Sequence, residues 1–234
     1  MTVLGSWEVS IAGERLVALP EKALFWPAES TLFIADLHLG KDASLQAAGV
    51  PVPLGPTLET LRCLSEVLAK TRPKCLALLG DLWHAKAGRT AALSSDFVAW
   101  RAAHAGTQMV LVEGNHDVKS GALPNGVNVL EVKEPHIVGP FALCHYPAAC
   151  SEGYVLSGHI HPAVTLCGRG RQSMTLPCFW FGKHTAVLPA FGSFTGCGRV
   201  SPCEGDQVLI VADSRVIPAQ ISSQNDAPKG VTWR

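Results

Sequence analysis

Apolar residues run in short blocks along this chain, and five of the blocks end on polar words. Leu32 to Ala35, Cys75 to Leu79, Met109 to Val112, Phe141 to Cys144 and Tyr154 to Leu156 are unbroken apolar runs of strand length, the pattern of strands buried on both faces. They lead into Asp36-Leu37-His38, Gly80-Asp81, Gly114-Asn115-His116-Asp117, His145 and Gly158-His159-Ile160-His161. Leucines at 58, 61, 64 and 68 predict a helix over Thr57 to Thr71 with one buried face. Gly40 to Gly49 and Leu93 to Ala105 are two further predicted helices, and the Pro51 to Pro56 segment reads as a stiff connector. Short strands are predicted at Trp7 to Ile11 and Arg15 to Ala18. Later strands are predicted at Val127 to Val132, Ala163 to Cys167, Met174 to Phe181, Ala186 to Leu188 and Gln207 to Val211. Helices that alternate with strands early, and strands that dominate late, predict an α/β fold of two packed sheets with helices outside. One domain is expected over residues 1–218, followed by a polar tail over 219–234.

The polar words carry the candidate chemistry. In layered α/β proteins, metal and phosphate sites gather at the carboxyl ends of strands. Side chains alternate along a strand, so Asp36 and His38 are expected to share one side, as are His159 and His161. Gly158 is expected to let backbone approach the metals. With Asp81, Asn115 and His145, the donor set is two carboxylates, four imidazoles and one amide, which suits manganese, iron or zinc better than calcium or magnesium. Asp81, at a sharp turn, can bridge two ions through its two oxygens. Two divalent ions against two carboxylates leave about two positive charges, which favours an anionic phosphodiester over a neutral ester. Such ions lower the pKa of bound water to about 7 and clamp the attacking and leaving oxygens of an in-line displacement. The expected reaction is therefore attack on phosphorus by a hydroxide held by both metals. His116, next to Asn115, is assigned to protonating the leaving oxygen or steadying the charge on phosphorus.

Composition narrows this picture. At 234 residues, 47% of them hydrophobic, the chain suits one well-buried domain. No apolar run reaches the roughly 18 residues of a membrane span, and Met1 to Trp7 has no signal-peptide pattern, so the expected address is the cytoplasm with no membrane partner. The eight cysteines include no C-x-x-C pair and read as reduced, buried thiols. Formal net charge is zero. A protein that grips long duplex DNA usually carries a basic surplus, so a nucleic-acid substrate here would be touched at few phosphates, or gripped by a partner.

The ordered words D-x-H, G-D, G-N-H-D, H and G-H-x-H resemble the calcineurin-like metallophosphoesterase superfamily. That resemblance implies a four-layer αββα sandwich. It also implies that Asp36, His38, Asp81 and His161 hold one metal, that Asp81, Asn115, His145 and His159 hold the other, and that His116 is the catalytic histidine. Asp36 to Lys41, Ala48 to Pro53, Gly80 to Lys86, Leu176 to Trp180 and Leu188 to Phe194 are similar to bacterial ligase-associated DNA damage response endonucleases, with the likeness running from about residue 30 to 200. This subfamily implies a manganese-dependent phosphodiesterase that cuts single-stranded DNA. It also implies association with a DNA ligase, a helicase and an exonuclease in repair.

Blander readings compete at several positions. Asx residues favour strand-end turns on their own, but that does not account for five histidines at spaced strand ends beside them. His84 is open between a catalytic or substrate-phosphate contact and a surface helix-turn histidine. Asp117 reads as a loop brace. His104, His136 and His184 lie outside every motif. Lys41, three residues past His38, is the expected substrate-binding cation, whereas Lys86, Arg89, Arg169, Arg171 and Lys183 read better as solvated charges. Trp83 and Tyr146 flank expected ligands and could stack on a base or pack as walls. Phe179 to Phe181 reads as strand core. Two alternatives stay open: a phosphodiesterase or phosphatase of small substrates such as 2′,3′-cyclic nucleotides or monoesters, and a non-catalytic scaffold on the same fold.

Overall fold

The apolar runs that precede the first three polar words lie side by side as parallel strands. The computed structural model describes residues 4–53, 55–168 and 172–219. Arg169, Arg171 and the tail beyond residue 219 lie outside them. The first sheet contains β1 (Trp7–Ile11), β2 (Glu14–Ala18), β3 (Leu24–Trp26), β4 (Thr31–Ile34), β5 (Cys75–Leu79), β6 (Gln108–Val112) and β7 (Leu130–Val132), in that spatial order. β1 to β4 form an antiparallel meander, and β4 to β7 are parallel. The parallel crossovers carry α1 (Lys41–Ala47), α2 (Pro56–Thr71), α3 (Ala91–Ala103) and α4 (Asn115–Ser120).

The second sheet contains β8 (His136–Val138), β9 (Phe141–Leu143), β10 (Tyr154–Ser157), β11 (Pro162–Cys167), β12 (Ser173–Phe181), β13 (Thr185–Val187), β14 (Gly198–Arg199), β15 (Gln207–Ala212) and β16 (Arg215–Pro218). β9, β10 and β13 run parallel.

Alternation sorts the apolar runs between two cores. Leu32, Ile34, Leu76, Leu78 and Leu111 face α2 and α3, where they meet Leu61, Leu64, Val67, Leu68 and Phe97. Phe33, Ala35, Ala77, Leu79 and Val112 face the other way, onto Phe141, Leu156, Phe179 and Leu188 of the second sheet. The molecule is an α/β sandwich of two mixed sheets. Its helices lie early in the chain: among the described residues none follows Ser120. A small cluster of Val164, Cys178, Val208 and Ile210, packed with Trp180 and Val200, forms an apolar group apart from the inter-sheet core.

Three details depart from the sequence pattern. Leu58 is 50% exposed, and Val67 takes its place on the buried face of α2. The helix begins at Pro56, one residue earlier than the leucine spacing indicates, so the face that packs starts with Thr57 and Thr60. The strand expected over Val127 to Val132 shrinks to three residues, while the short β3, β8, β14 and β16 have too few residues to show a period. In addition, the third polar word opens a short helix, α4, where the sequence reads as a turn. Among the described residues no helix is long and apolar enough to cross a membrane.

The face of α2 can be tested by a pair of substitutions. Leu64→Ala is expected to cost about 2–5 kcal/mol, and Leu58→Ala no more than about 0.5 kcal/mol, read from urea denaturation midpoints at constant m-value.

Candidate metal centre

The polar words meet where the carboxyl ends of the two sheets come together. Asp36 and His38 follow β4, Asp81 follows β5, and Asn115 and His116 open α4 after β6. His145 follows β9, and His159 and His161 follow β10. The sheets touch here: Ala35 bridges to Ala190 in parallel register, and the Phe191 N–H donates to the Ala35 carbonyl at 2.8 Å.

Convergence does not come from strand alternation. β4 has ended at Ile34, before the first ligand candidate. Instead Asp36, His38, Asp81, His159 and His161 all have left-handed backbones, with φ of 54°, 49°, 53°, 68° and 53°. Asp and His tolerate this region better than most residues, and such residues cluster at functional sites because the surroundings force them. The surroundings are visible. The loops after β4 and β5 run alongside each other, with N–H groups of Asp36, His38 and Leu39 donating to carbonyls of Gly80, Asp81 and Leu82 at 2.9–3.2 Å.

In the three words that contain a glycine, it makes room for a side chain of another word. A Cβ at Gly80 would lie 2.1 Å from His145 Nδ1, one at Gly114 2.3 Å from Asp81 Oδ1, and one at Gly158 2.5 Å from Asp36 Oδ2. Gly158 therefore admits the Asp36 carboxylate, a different role from the backbone approach expected of it.

Two carboxylate-bearing triplets of donor atoms result, each lying within 4.8 Å: Asp36, His38 and His161, and Asp81, His145 and His159; a third, all-imidazole group of His38, His84 and His116 adjoins them. Asp81 sits between them. Its Oδ1 accepts the His116 N–H at 2.9 Å, and its Oδ2 lies 3.8 Å from His38 Nε2 and 3.6 Å from His145 Nε2. Backbone carbonyls set the imidazole tautomers. His145 Nδ1 donates to Leu79 O at 3.1 Å and His161 Nδ1 to Gly196 O at 3.1 Å. Since a carbonyl can only accept, the proton of each ring's neutral tautomer sits on Nδ1 and the Nε2 lone pair faces inward.

The interior is consequently rich in acceptors and short of protons. Asn115 Oδ1 faces the bare His145 Nε2 at 3.0 Å, the buried Asp36 Oδ1 has no hydrogen-bond partner, and the bare Nε2 atoms of His161 and His145 can accept only from neighbouring rings, His38 Nε2 at 3.2 Å and His159 Nδ1 at 3.0 Å. Burial, then the facing imidazoles, push His38 down to about 2. Burial first, then His116 and Lys41, push His84 down to about 4, and burial also lowers His159. These rings are neutral at pH 7, as metal ligands must be. Desolvation raises Asp81, against the pull of His145 and the His116 N–H, and Asp36 adds repulsion. Lone pairs gathered around two buried carboxylates fit divalent cations.

Other predicted residues divide cleanly. His84 stacks on His116 at 4.9 Å, and its Nδ1 lies 3.4 Å from His38 Nδ1, so it belongs to this cluster and not to a separate surface turn. His116 Nδ1 reaches the His84 carbonyl at 2.5 Å, and its side chain is 34% exposed. Lys41 starts α1, close enough for its charge to act on His38 and His84. Asp117 accepts from Gly114 N–H at 3.0 Å and Trp83 N–H at 3.1 Å, bracing the loop.

Trp83 is buried against Phe97, with the Arg89 guanidinium 5.2 Å from its ring centroid, so neither is free to meet a substrate: Trp83 is core, and Arg89 is tied to the carbonyls of Ser120 and Gly121. Lys86 is exposed on a one-turn helix. Lys183 lies in the β12–β13 turn, beside the start of β10 and so at the far end from His159. Phe179 and Phe181 are strand core. His104 packs on Trp100 and bonds Ser65.

Sequence reasoning missed Glu134, whose carboxylate accepts the N–H groups of His145 and Tyr146 at 2.7 and 3.1 Å. It also missed the three carbonyls that orient imidazoles. Nothing in an amino-acid string marks a backbone oxygen, and Glu134 sits outside every motif.

No protein-family model matches the chain, and no curated protein matches it. Among solved structures, the crystal structure of the Pseudomonas putida nuclease MPE is similar at a TM-score of 0.79 and 36% identity, covering 91% of this chain and 99% of that one. A phosphoesterase from E. coli covers 80% of this chain and 96% of its own at 18% identity and a TM-score of 0.40, too distant to bear on the site. The sandwich and its Asp/His centre define a metal-dependent hydrolase of phosphoester bonds. The chain belongs to the metallophosphoesterase family, alongside the P. putida nuclease.

Titrating Mn²⁺ into the metal-free protein is expected to raise its melting temperature, since a ligand bound only by the folded state stabilises it. Gly158→Ala, which crowds Asp36, is expected to shrink that rise. Differential scanning calorimetry with and without chelator measures both.

Proposed function

We propose that the chain is a manganese-dependent phosphodiesterase that cuts single-stranded DNA in bacterial repair. The observation that carries the reading is the convergence of six further side chains, Asp36, His38, Asn115, His145, His159 and His161, around Asp81. Asp36, His38, Asp81 and His161 would hold one divalent ion, and Asp81, Asn115, His145 and His159 the other. When bound, the pair supplies positive charge for the phosphoryl oxygens and acidifies water. The resemblance to ligase-associated endonucleases supports manganese, as well as functional association with a DNA ligase, a helicase and an exonuclease. A nuclease as structural relative supports a nucleic-acid phosphodiester.

The chain's own residues divide the remaining work. His116 anchors Nδ1–H on the His84 carbonyl, leaving Nε2 directed toward the centre, 4.0 Å from Asp81 Oδ2. A proton held at Nε2 passes to the departing oxygen. The His84 ring, stacked on His116, fixes its plane and offers a second contact to phosphate. Lys41, at the edge of the His38 side, supplies the substrate-binding charge. Residues 1–218 form the catalytic domain in this reading, with 219–234 as a tail.

His116→Ala is expected to lower DNA cleavage by about 10²–10⁴ while metal content survives. Release of a nitrophenolate, which needs little protonation, should fall far less; equal losses on both substrates would remove the acid role.

The zero net charge favours a second reading, a phosphodiesterase or phosphatase of small substrates. Single-stranded oligonucleotide, 2′,3′-cyclic nucleotides and simple monoesters, compared at matched manganese, separate the two. The nuclease reading expects the oligonucleotide to be preferred and Asp81→Asn to silence cleavage. A scaffold would be indifferent to Asp81→Asn.

A further inference from the structure

Two exposed aromatic rings flank the centre, one beside each carboxylate-bearing triplet of donors. The Tyr146 ring is 40% exposed and lies 4.9 Å from the His145 ring and 4.5 Å from the His159 ring. Phe194 is 36% exposed and shares a crevice with His38 and Lys41. Singly exposed rings are ordinary on a protein surface; what distinguishes these two is that each lies against residues of the donor cluster.

Both rings are carried on backbone that is already held. Tyr146 N–H donates to Glu134 at 3.1 Å, and its carbonyl accepts Ala148 N–H at 2.9 Å. The residues just before Phe194 are fastened to the ligand loop itself. Phe191 and Gly192 N–H groups donate to the Ala35 and Asp36 carbonyls at 2.8 and 3.2 Å, and Lys22 Nζ donates to Gly192 O at 3.2 Å. A Cβ at Gly192 would lie 2.4 Å from Leu37 O, so glycine is required for this close approach. The rings are therefore placed relative to the metals before any substrate arrives, and binding to them immobilises little.

We propose that Tyr146 and Phe194 stack the two bases on either side of the scissile phosphate, so that the enzyme selects nucleotides whose bases are already unpaired. The inference rests on the nucleic-acid reading above and adds to it the groups that recognise single strands. Base stacking on an aromatic side chain is sequence-tolerant, since every base has a π-face. In a duplex both faces of each base are taken by neighbours, so neither ring finds a partner. The arrangement also suits a chain with zero net charge: recognition comes from two rings and one cation, with no long basic track.

The test uses the manganese-loaded full chain and its Tyr146→Leu, Phe194→Leu and Tyr146→Phe variants, each checked for metal content. Substrates are a single-stranded oligonucleotide, the same strand with one abasic residue on either side of the cleaved linkage, and the base-free diester methyl 4-nitrophenyl phosphate. Each leucine variant is expected to raise KM for the intact strand on the order of tenfold relative to its KM for the small diester. Tyr146→Phe restores the wild-type ratio. The loss disappears on the strand whose abasic residue removes the matching base. Leucine variants with wild-type KM ratios, or with equal losses on intact and abasic strands, overturn the stacking. A wild-type enzyme that turns over the small diester but never the oligonucleotide overturns the nucleic-acid reading, and the stacking with it.

Discussion

Electron pairs confined without protons are the constraint on which this structure turns. Buried carboxylates at Asp36 and Asp81, bare Nε2 atoms of His145 and His161, and the Asn115 carbonyl occupy one small volume. Such a cluster repels itself unless cations are supplied. The fold must therefore hold it by force from outside. It does so with backbone: glycines that remove a Cβ from the path of a ligand, left-handed aspartates and histidines, and carbonyls that pin Nδ1 protons on the outer side. The apolar runs supply rigidity, because strands buried on both faces cannot shift without disrupting two cores at once.

The sequence was most legible where composition and position coincide. Strand-length apolar blocks ending on Asp, His and Asn located both the parallel sheet and the region of the site. The mechanism of convergence was not legible. Alternation was the wrong rule for Asp36 and His38 because the strand stops at Ile34 and the backbone turns left-handed, and a one-dimensional pattern carries no φ. Leu58 was misplaced for a related reason: leucine spacing marks a stripe, but Val67, Thr57 and Thr60 share the packed face. Trp83 flanks a ligand in sequence and yet points into the helix-side core, since neighbours along a turn diverge in direction. Gly80, Gly114 and Gly158 were visible, but the side chains they accommodate come from distant words.

Charge tells a complementary story. The chain is neutral, and several cations that might have formed a rim are used elsewhere. Arg89 holds the end of α4 against Trp83, and Arg101 ties α3 to the carbonyls of Asn128, His104 and Thr107. Lys41 stands near the histidines with its amine lowered by burial. Attraction for an anion would thus be concentrated at the centre, on the charge of the ions that the Asp/His cluster would hold.

Each carboxylate-bearing triplet of donors draws on both sheets. Asp36 and His38 come from the first and His161 from the second, while Asp81 comes from the first and His145 and His159 from the second. The two layers otherwise adhere through apolar contact and a few hydrogen bonds at this same end, such as Phe191 N–H to the Ala35 carbonyl. An ion in either triplet acts as a rivet through the seam, so that parting the layers and releasing the ion become one event. Durability of the scaffold and readiness for catalysis then rise and fall together with the supply of metal in the cell.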